Sequence, residues 1–303
     1  MAGHQTVAKR KCYICFYFMM LPGILYFIIF RYLPMFGLVI AFKDYDIFKG
    51  IWASDWVGLE NFKKLFFSDD FWNVLSNTLK ISFAKIIVGF PIPILLAIML
   101  NEMRSLRFKK IIQTLLYLPH FLSWVVIGGI MLNLFSPVFG LAGTFFRTFG
   151  LDPVNIMAQK NTIFGVVILS DVWKECGWST IIFLAALTQV DGSLYEAAKI
   201  DGANRLKQMI YITIPAISGV IILMLILRIG KIMNAGFEQI LVLQNSVTRE
   251  CIDIFDTYVY REGLGRGKYS FSSTVDMFKS VVAFIMVTCA DKFSKKVGGE
   301  GIF

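Results

Sequence analysis

The sequence predicts an all-α integral membrane protein with six transmembrane helices and both termini on the cytoplasmic side. Three observations carry this. Hydrophobic residues make up 56% of the 303 and charged residues only 17%, against about 25% charged in soluble domains. Apolar runs of roughly twenty residues, the length a helix needs to cross a bilayer, recur along the chain. Lysine and arginine gather in short clusters beside the ends of those runs, the pattern that sets orientation. The 29 phenylalanines and 13 methionines suit a surface that faces lipid. The formal net charge of +9 would alone suit a nucleic-acid partner, but its clustering beside apolar runs excludes that reading.

The first span is expected at about 12–33. Cys12 to Phe30 carries no charge and follows Lys9-Arg10-Lys11, the pattern of an uncleaved signal anchor. The second, 78–100, contains Pro91 and Pro93, and the third covers 114–135. The fourth, 163–187, encloses Asp171, Lys174 and Glu175. The fifth, 210–233, is free of charge from Met209 to Leu227. The sixth, 274–291, has Asp276 and Lys279 at its start. With six spans, four basic groups fall on one side: Lys9–Lys11, Arg104 to Lys110, Lys199 to Lys207, and Lys292 to Lys296. That side is cytoplasmic by the positive-inside rule. Loops near 36–77, 137–162 and 234–273 lie opposite. Without the sixth span the basic tail would lie outside.

The chain reads as one membrane domain, 1–303, with no linker, repeat or soluble module. Cys12 and Cys15 form a C-x-x-C inside an apolar run, Cys176, Cys251 and Cys289 are isolated, and His4 and His120 are too few for a metal cluster. No nucleophile–base set is visible, so neither a catalytic nor a metal site is expected. "GLGRGKYS" is not a phosphate loop. Glu262 stands where such a loop needs glycine, and Tyr269 follows Lys268 in place of Ser or Thr.

Between the fourth and fifth spans lies a charged segment, "YEAAKIDGANRLKQMIYITIPAISGV". Leu194 to Ile200 favours helix, and Asp191 and Ser193 are available as caps. Gly202 permits a sharp turn. Leu206, Met209, Ile210 and Thr213 then fall at one face of a second helix. Pro215 enters the next span. Helix, turn, helix at the membrane surface suits docking into a groove on another protein. It equally suits an amphipathic element capping its own bundle.

Two polar patches interrupt apolar spans. Asp171, Lys174 and Glu175 lie beside Trp173 and Trp178. A charge at mid-bilayer costs about 2.5–3.5 kcal/mol on insertion scales, so these face an interior or a wet cavity. Their spacing allows a local Asp171–Lys174 pair. The patch reads either as a polar pathway with indole faces for sugar stacking or as an ion pair that orients helices. The second patch holds Arg228, Lys231, Asn234, Glu238 and Gln239, with Gly236 able to break the helix. If the helix continues, Asn234, Glu238 and Gln239 share roughly one face and meet a wet cavity. Snorkelling helix-end charges are the other reading.

"EAAKIDGANRLKQMIYITIP" resembles the EAA loop of bacterial ABC importer permeases. Glu196-Ala197-Ala198, then Gly202, then Ile212-Thr213-Ile214-Pro215 stand at the family spacing, with Ile214 where leucine is frequent. "LPGILYFIIFRYLPMFGLVIAFKDYD", "WVGLENFKKLFFSDDFWNVLSNTLKIS", "QTLLYLPHFLSWVV" and "GGEGIF" are similar to the polysaccharide-type permeases of the maltose-like carbohydrate class. The resemblance implies a type I importer permease fold in the bacterial cytoplasmic membrane. It implies as partners a second, different permease, two ATPase subunits, an external solute-binding protein and a carbohydrate. It places ATP and Mg on the ATPases and no cofactor on this chain. It assigns ATPase docking to Glu196, Ala197, Ala198, Asp201, Gly202, Leu206 and Met209 in the 191–212 coupling loop. It assigns the substrate pathway to Trp173, Lys174, Glu175, Trp178, Asn234, Glu238 and Gln239, although the spelling around Asn234 departs from maltose permeases. Two alternatives stand beside it. An ion-gradient transporter would use Asp171, Lys174 and Glu175 but would show inverted repeats. An ABC permease for amino acids or phosphate would share the loop but not "LPHFLSW".

Overall fold

The computed structural model describes residues 16–296. The Lys9–Lys11 cluster, His4, Cys12, Cys15 and "GGEGIF" lie outside them. In chain order the elements are α1 (Phe16–Phe42), β1 (Lys43–Asp44), β2 (Asp55–Trp56), α2 (Glu60–Phe66), α3 (Asp69–Gly89), α4 (Pro91–Asn101), α5 (Leu106–Tyr117), α6 (Trp124–Leu134), α7 (Leu141–Thr148), α8 (Lys160–Leu187), α9 (Gly192–Ile200), α10 (Arg205–Ala216), α11 (Ser218–Gly230), α12 (Phe237–Leu243) and α13 (Tyr269–Lys296). Single helical turns fill several of the connections.

Helices α1 and α13 and the α3–α4 rod, Asp69–Asn101, are each long and apolar enough to cross a membrane. Leu106–Phe121 with α6, and α10 with α11, meet that test as bent pairs, at 99° and 62°. Helix α8 is an uninterrupted 28 residues with three charges at its middle. These helices overlap the predicted runs and differ from them at four places. The run expected at 78–100 starts at Asp69, where Asp69 and Asp70 occupy the first turn and complement the helix dipole. The run expected at 114–135 is not straight. Pro119 opens a tight 3₁₀ turn, and Ser123 caps a new helix by accepting from the Val126 N–H at 3.3 Å. The run expected at 210–233 bends at Ile217 and ends at Gly230. The helix expected at 274–291 is longer at both ends.

Contacts divide the chain into two compact units. One comprises the residues up to Phe67 with Glu262–Met277. In it, α1 widens to a π-helix over Ile28–Tyr32, where Pro34 has no N–H to give to Phe30. The otherwise helical fold carries one four-residue ribbon here, Lys43 opposite Trp56 and Asp44 opposite Asp55. Its curl is fixed by Lys43, whose ammonium donates to the carbonyls of Ile51, Trp52 and Ser54. Asn61 ties α2 to it through the Ala41 and Lys43 carbonyls, both at 3.0 Å. The "GLGRGKYS" segment is a salt-bridged turn. Buried Glu262 accepts from Arg266 at 2.7 Å and from Lys268 at 3.0 Å.

The other unit comprises Ser68–Arg261 and the residues from Phe278 onward, and α8 is its spine. The first half of α8 buries Val167, Ile168 and Val172 against Ile81, Ile240 and Leu243. Its second half buries Phe183, Leu184 and Leu187 against Ala97, Ile98, Leu100 and Ile217. The charged turns of α8 lie between these two apolar clusters. Gly177 sets the approach of α5: a Cβ there would lie 2.0 Å from the Leu116 carbonyl oxygen.

Candidate functional site

Lys85, half-way along the α3–α4 rod, is the centre of the polar layer. Its side chain is 9% exposed and that of Asp171 14%. The ammonium has three protons and three acceptors: Asp171 Oδ1 at 2.7 Å, the Ala235 carbonyl at 2.9 Å and Gln239 Oε1 at 2.5 Å. Gln239 turns its amide nitrogen to the Val167 carbonyl and Ser170 Oγ, at 2.7 and 2.9 Å. Arg228 donates to the Lys85 carbonyl at 3.2 Å and lies 3.9 Å from Asp171 Oδ2. One buried network thus joins α3, α8, α11 and α12. A buried charge is tolerable only when paired and fully hydrogen-bonded, and this one is.

One turn further along α8, Lys174 donates to the His120 carbonyl at 2.7 Å and lies 3.6 Å from Glu175. His120 Nδ1 is 3.0 Å from Glu175 Oε2, and its ring stacks on Trp178 at 4.7 Å. "LPHFLSW" is therefore held on α8 by charge and by stacking. The expected Asp171–Lys174 pair does not form. Asp171 is taken by Lys85 from another helix, and Lys174 points to the α5–α6 connection.

The helix does not continue through Gly236. Helix α11 ends at Gly230, and Gly236 adopts φ +101°, open to glycine at little cost, before α12 begins. Asn234, Glu238 and Gln239 consequently do not share a face: Asn234 and Glu238 are exposed and Gln239 is fully buried. Beside this break lies a cavity of about 360 Å³, walled by α3, α4, α8 and α11. Its charged lining is Lys85, Asp171, Glu175, Arg228 and Lys231, joined by Asn234, Ser82 and Ser179. Of the predicted pathway residues, Glu175 and Asn234 line it. Lys174 and Gln239 support it from behind, and Trp173, Trp178 and Glu238 lie outside its wall. Lys85, Arg228 and His120 complete the site. The legible signal for Lys85 was a lysine inside an apolar stretch, which demands a buried partner.

The loop forms helix, turn, helix. Asp191 caps α9 by accepting from the Ser193 N–H at 2.9 Å, and that bond holds its carboxyl below the usual carboxylate range. Helix α9 closes in a Schellman turn. Gly202, at φ +75°, donates to Lys199, and Ala203 donates to Ala198 at 2.8 Å. Asn204 then caps α10 through the Lys207 N–H. Tyr195 Oη lies 3.0 Å from Thr213 Oγ1, fastening α9 to α10. The pitch widens over Met209–Thr213, so Leu206, Met209, Ile210 and Thr213 do not share one face. Thr213 is buried and Met209 packs on the cluster at the second half of α8, while Leu206 and Ile210 are 60% and 45% exposed. Glu196, Ala197, Asp201 and Gly202 are exposed and Ala198 is half-buried.

Several helices are thus apolar enough to cross a membrane, and the elbow between α8 and α11 is exposed. Residues 89–292 match the family model of the binding-protein-dependent transport system inner membrane component. The chain belongs to that family. It is a transport permease subunit of an ABC importer and not an enzyme. Among its relatives in Bacillus subtilis (strain 168), the polygalacturonan/rhamnogalacturonan transport system permease protein YteP is 48% identical over 95% of this chain and 89% of that relative. Protein LplB is 44% identical over 99% and 95%. The crystal structure of a bacterial ABC transporter involved in import of the acidic polysaccharide alginate contains a chain that superposes with a TM-score of 0.89. The two are 37% identical, and the match covers 97% of this chain and 99% of that one. A second structure of an alginate transporter, with an alginate pentasaccharide-bound periplasmic protein, gives 0.90.

Proposed function

We propose that this permease is one of two different membrane halves of an ATP-driven importer of oligosaccharides cut from a polysaccharide. It crosses the bacterial inner membrane six times with both termini inside. Two ATPase subunits, which hold ATP and Mg, grip the α9–α10 elbow, and an external binding protein delivers the sugar. The observation that carries this is the elbow itself. Its Schellman turn, its Tyr195–Thr213 fastening and its exposed Leu206 and Ile210 form a rigid lever with an apolar surface. ATPase closure would push that lever, and α10 passes the motion through the bend at Ile217 into α11, which walls the cavity. The cargoes named for the similar transporters, polygalacturonan and alginate, are carboxylate-bearing polymers.

The test is uptake of a labelled oligosaccharide by proteoliposomes holding the complete complex and its binding protein. Uptake is expected to require ATP and to survive a protonophore. Uptake driven by an ion gradient without ATP would establish the secondary-transporter reading instead.

A further inference from the structure

The charges that line the cavity do not cancel. Asp171 is neutralised by Lys85 at 2.7 Å. Glu175 is held by His120 at 3.0 Å and by Lys174 at 3.6 Å, the latter behind the wall. With Lys85, the cations Arg228 and Lys231 outnumber the two acids of the lining. Arg228 uses one nitrogen on the Lys85 carbonyl and stands 3.9 Å from Asp171, so most of its five donors are uncommitted. Lys231 is exposed, and its side chain has no hydrogen bond or ion pair among the described residues. They lie three positions apart where α11 ends. Asn234, in the next turn, brings an uncharged donor and acceptor to the same wall.

Cations that outnumber the acids on one cavity wall raise the local concentration of anions there. A neutral sugar offers only hydroxyls. A carboxylate matches the guanidinium fork in a bidentate pair and the ammonium as a point charge. The volume, about 360 Å³, lies within the range of about 300–1,000 Å³ usual for small-molecule sites. We infer that Arg228 and Lys231 make this cavity selective for carboxylated sugar units, with the uronate carboxylate seated between them and Asn234 bonding a ring hydroxyl. This rests on the pathway reading above. Lys85 takes no part in binding, since all three of its protons are used within the chain.

The probes are labelled trigalacturonate and its carboxyl-reduced counterpart, trigalactose, offered to the complete complex in proteoliposomes with ATP. Wild type, Lys231→Gln, Lys231→Arg and Arg228→Gln are compared. Loss of one charge-assisted contact predicts at least about a tenfold fall in kcat/KM for the acidic probe in Lys231→Gln. Uptake of the neutral probe is expected to fall far less than that of the acidic one, and Lys231→Arg is expected to restore the acidic one. Equal falls for both probes would overturn the inference and assign these cations to helix ends or to an acid on the second permease. Equal uptake of both probes by wild type would overturn it too. A wild-type complex that imports neither probe would overturn the carbohydrate reading and the inference together.

Discussion

Lys85 Nζ lies 2.7 Å from Asp171 Oδ1, joining two long helices at the middle of the bundle. Removing one partner leaves an uncompensated buried charge, which costs about 3–5 kcal/mol. Lys85→Met and Asp171→Leu are each expected to lower the melting temperature in detergent sharply. The double variant is expected to recover most of the loss, because two apolar side chains replace a pair whose desolvation nearly offsets its attraction. A double variant as unstable as the sum of the singles would contradict the assignment.

Gly177 and Gly165 sit on the same helix in opposite settings. A Cβ at Gly177 meets the Leu116 carbonyl oxygen at 2.0 Å, and one at Gly165 meets nothing within 4 Å. Gly177→Ala is expected to cost about 1–3 kcal/mol through overpacking. Gly165→Ala is expected to be neutral or to stabilise by about 0.5–1 kcal/mol. Thermal unfolding of the two variants side by side reads the difference. Equal effects would show that α5 does not approach α8 this closely.

At Gly202 the backbone holds φ +75° with open space around the position. Gly202→Leu therefore meets backbone strain of about 1–2 kcal/mol and no internal clash. Membrane insertion is expected to be normal while sugar-stimulated ATP hydrolysis falls. Gly202→Asn, which tolerates this conformation better, is expected to retain more. Wild-type stimulation in Gly202→Leu would remove the turn from the coupling path.

Cysteine accessibility separates the residues around Gly236. Asn234→Cys, on the cavity wall, is expected to react with water-soluble thiol reagents and to be protected by bound sugar. Gln239→Cys, at a fully buried position that bonds Lys85, Val167 and Ser170, is expected to stay unreactive. Labelling of Gln239→Cys throughout the transport cycle would mean that the buried network opens.

The apolar runs and the elbow were legible because their determinants are local. Helix length follows from twenty apolar residues, and the turn follows from Gly202 with Asp191 as a cap, whereas the cap at Asn204 came only with the fold. The ion pairs were not legible, because sequence distance offers Asp171 a neighbour at Lys174 whereas the fold offers it Lys85, far away in the chain. The bend near Leu122 had signals in Pro119 and Ser123, yet the run looks continuous by hydropathy alone. Gly236 was a known breaking point, and its left-handed backbone decides that Asn234 and Gln239 part company. The widened turn over Met209–Thr213 leaves no mark in a helical-wheel reading.

The central claim is that the α9–α10 elbow is where an ATPase grips this permease. Photo-cross-linking in the transporting complex tests it most directly, with the reactive residue placed in turn at Leu206, at Ile200 and at Phe284. All three are exposed large apolar side chains, at 60%, 87% and 69%, but Phe284 lies on α13, away from the elbow in sequence. The account predicts adducts to the ATPase chain from Leu206 and Ile200 and none from Phe284. A complex that transports sugar yet yields no ATPase adduct from either elbow position would contradict it.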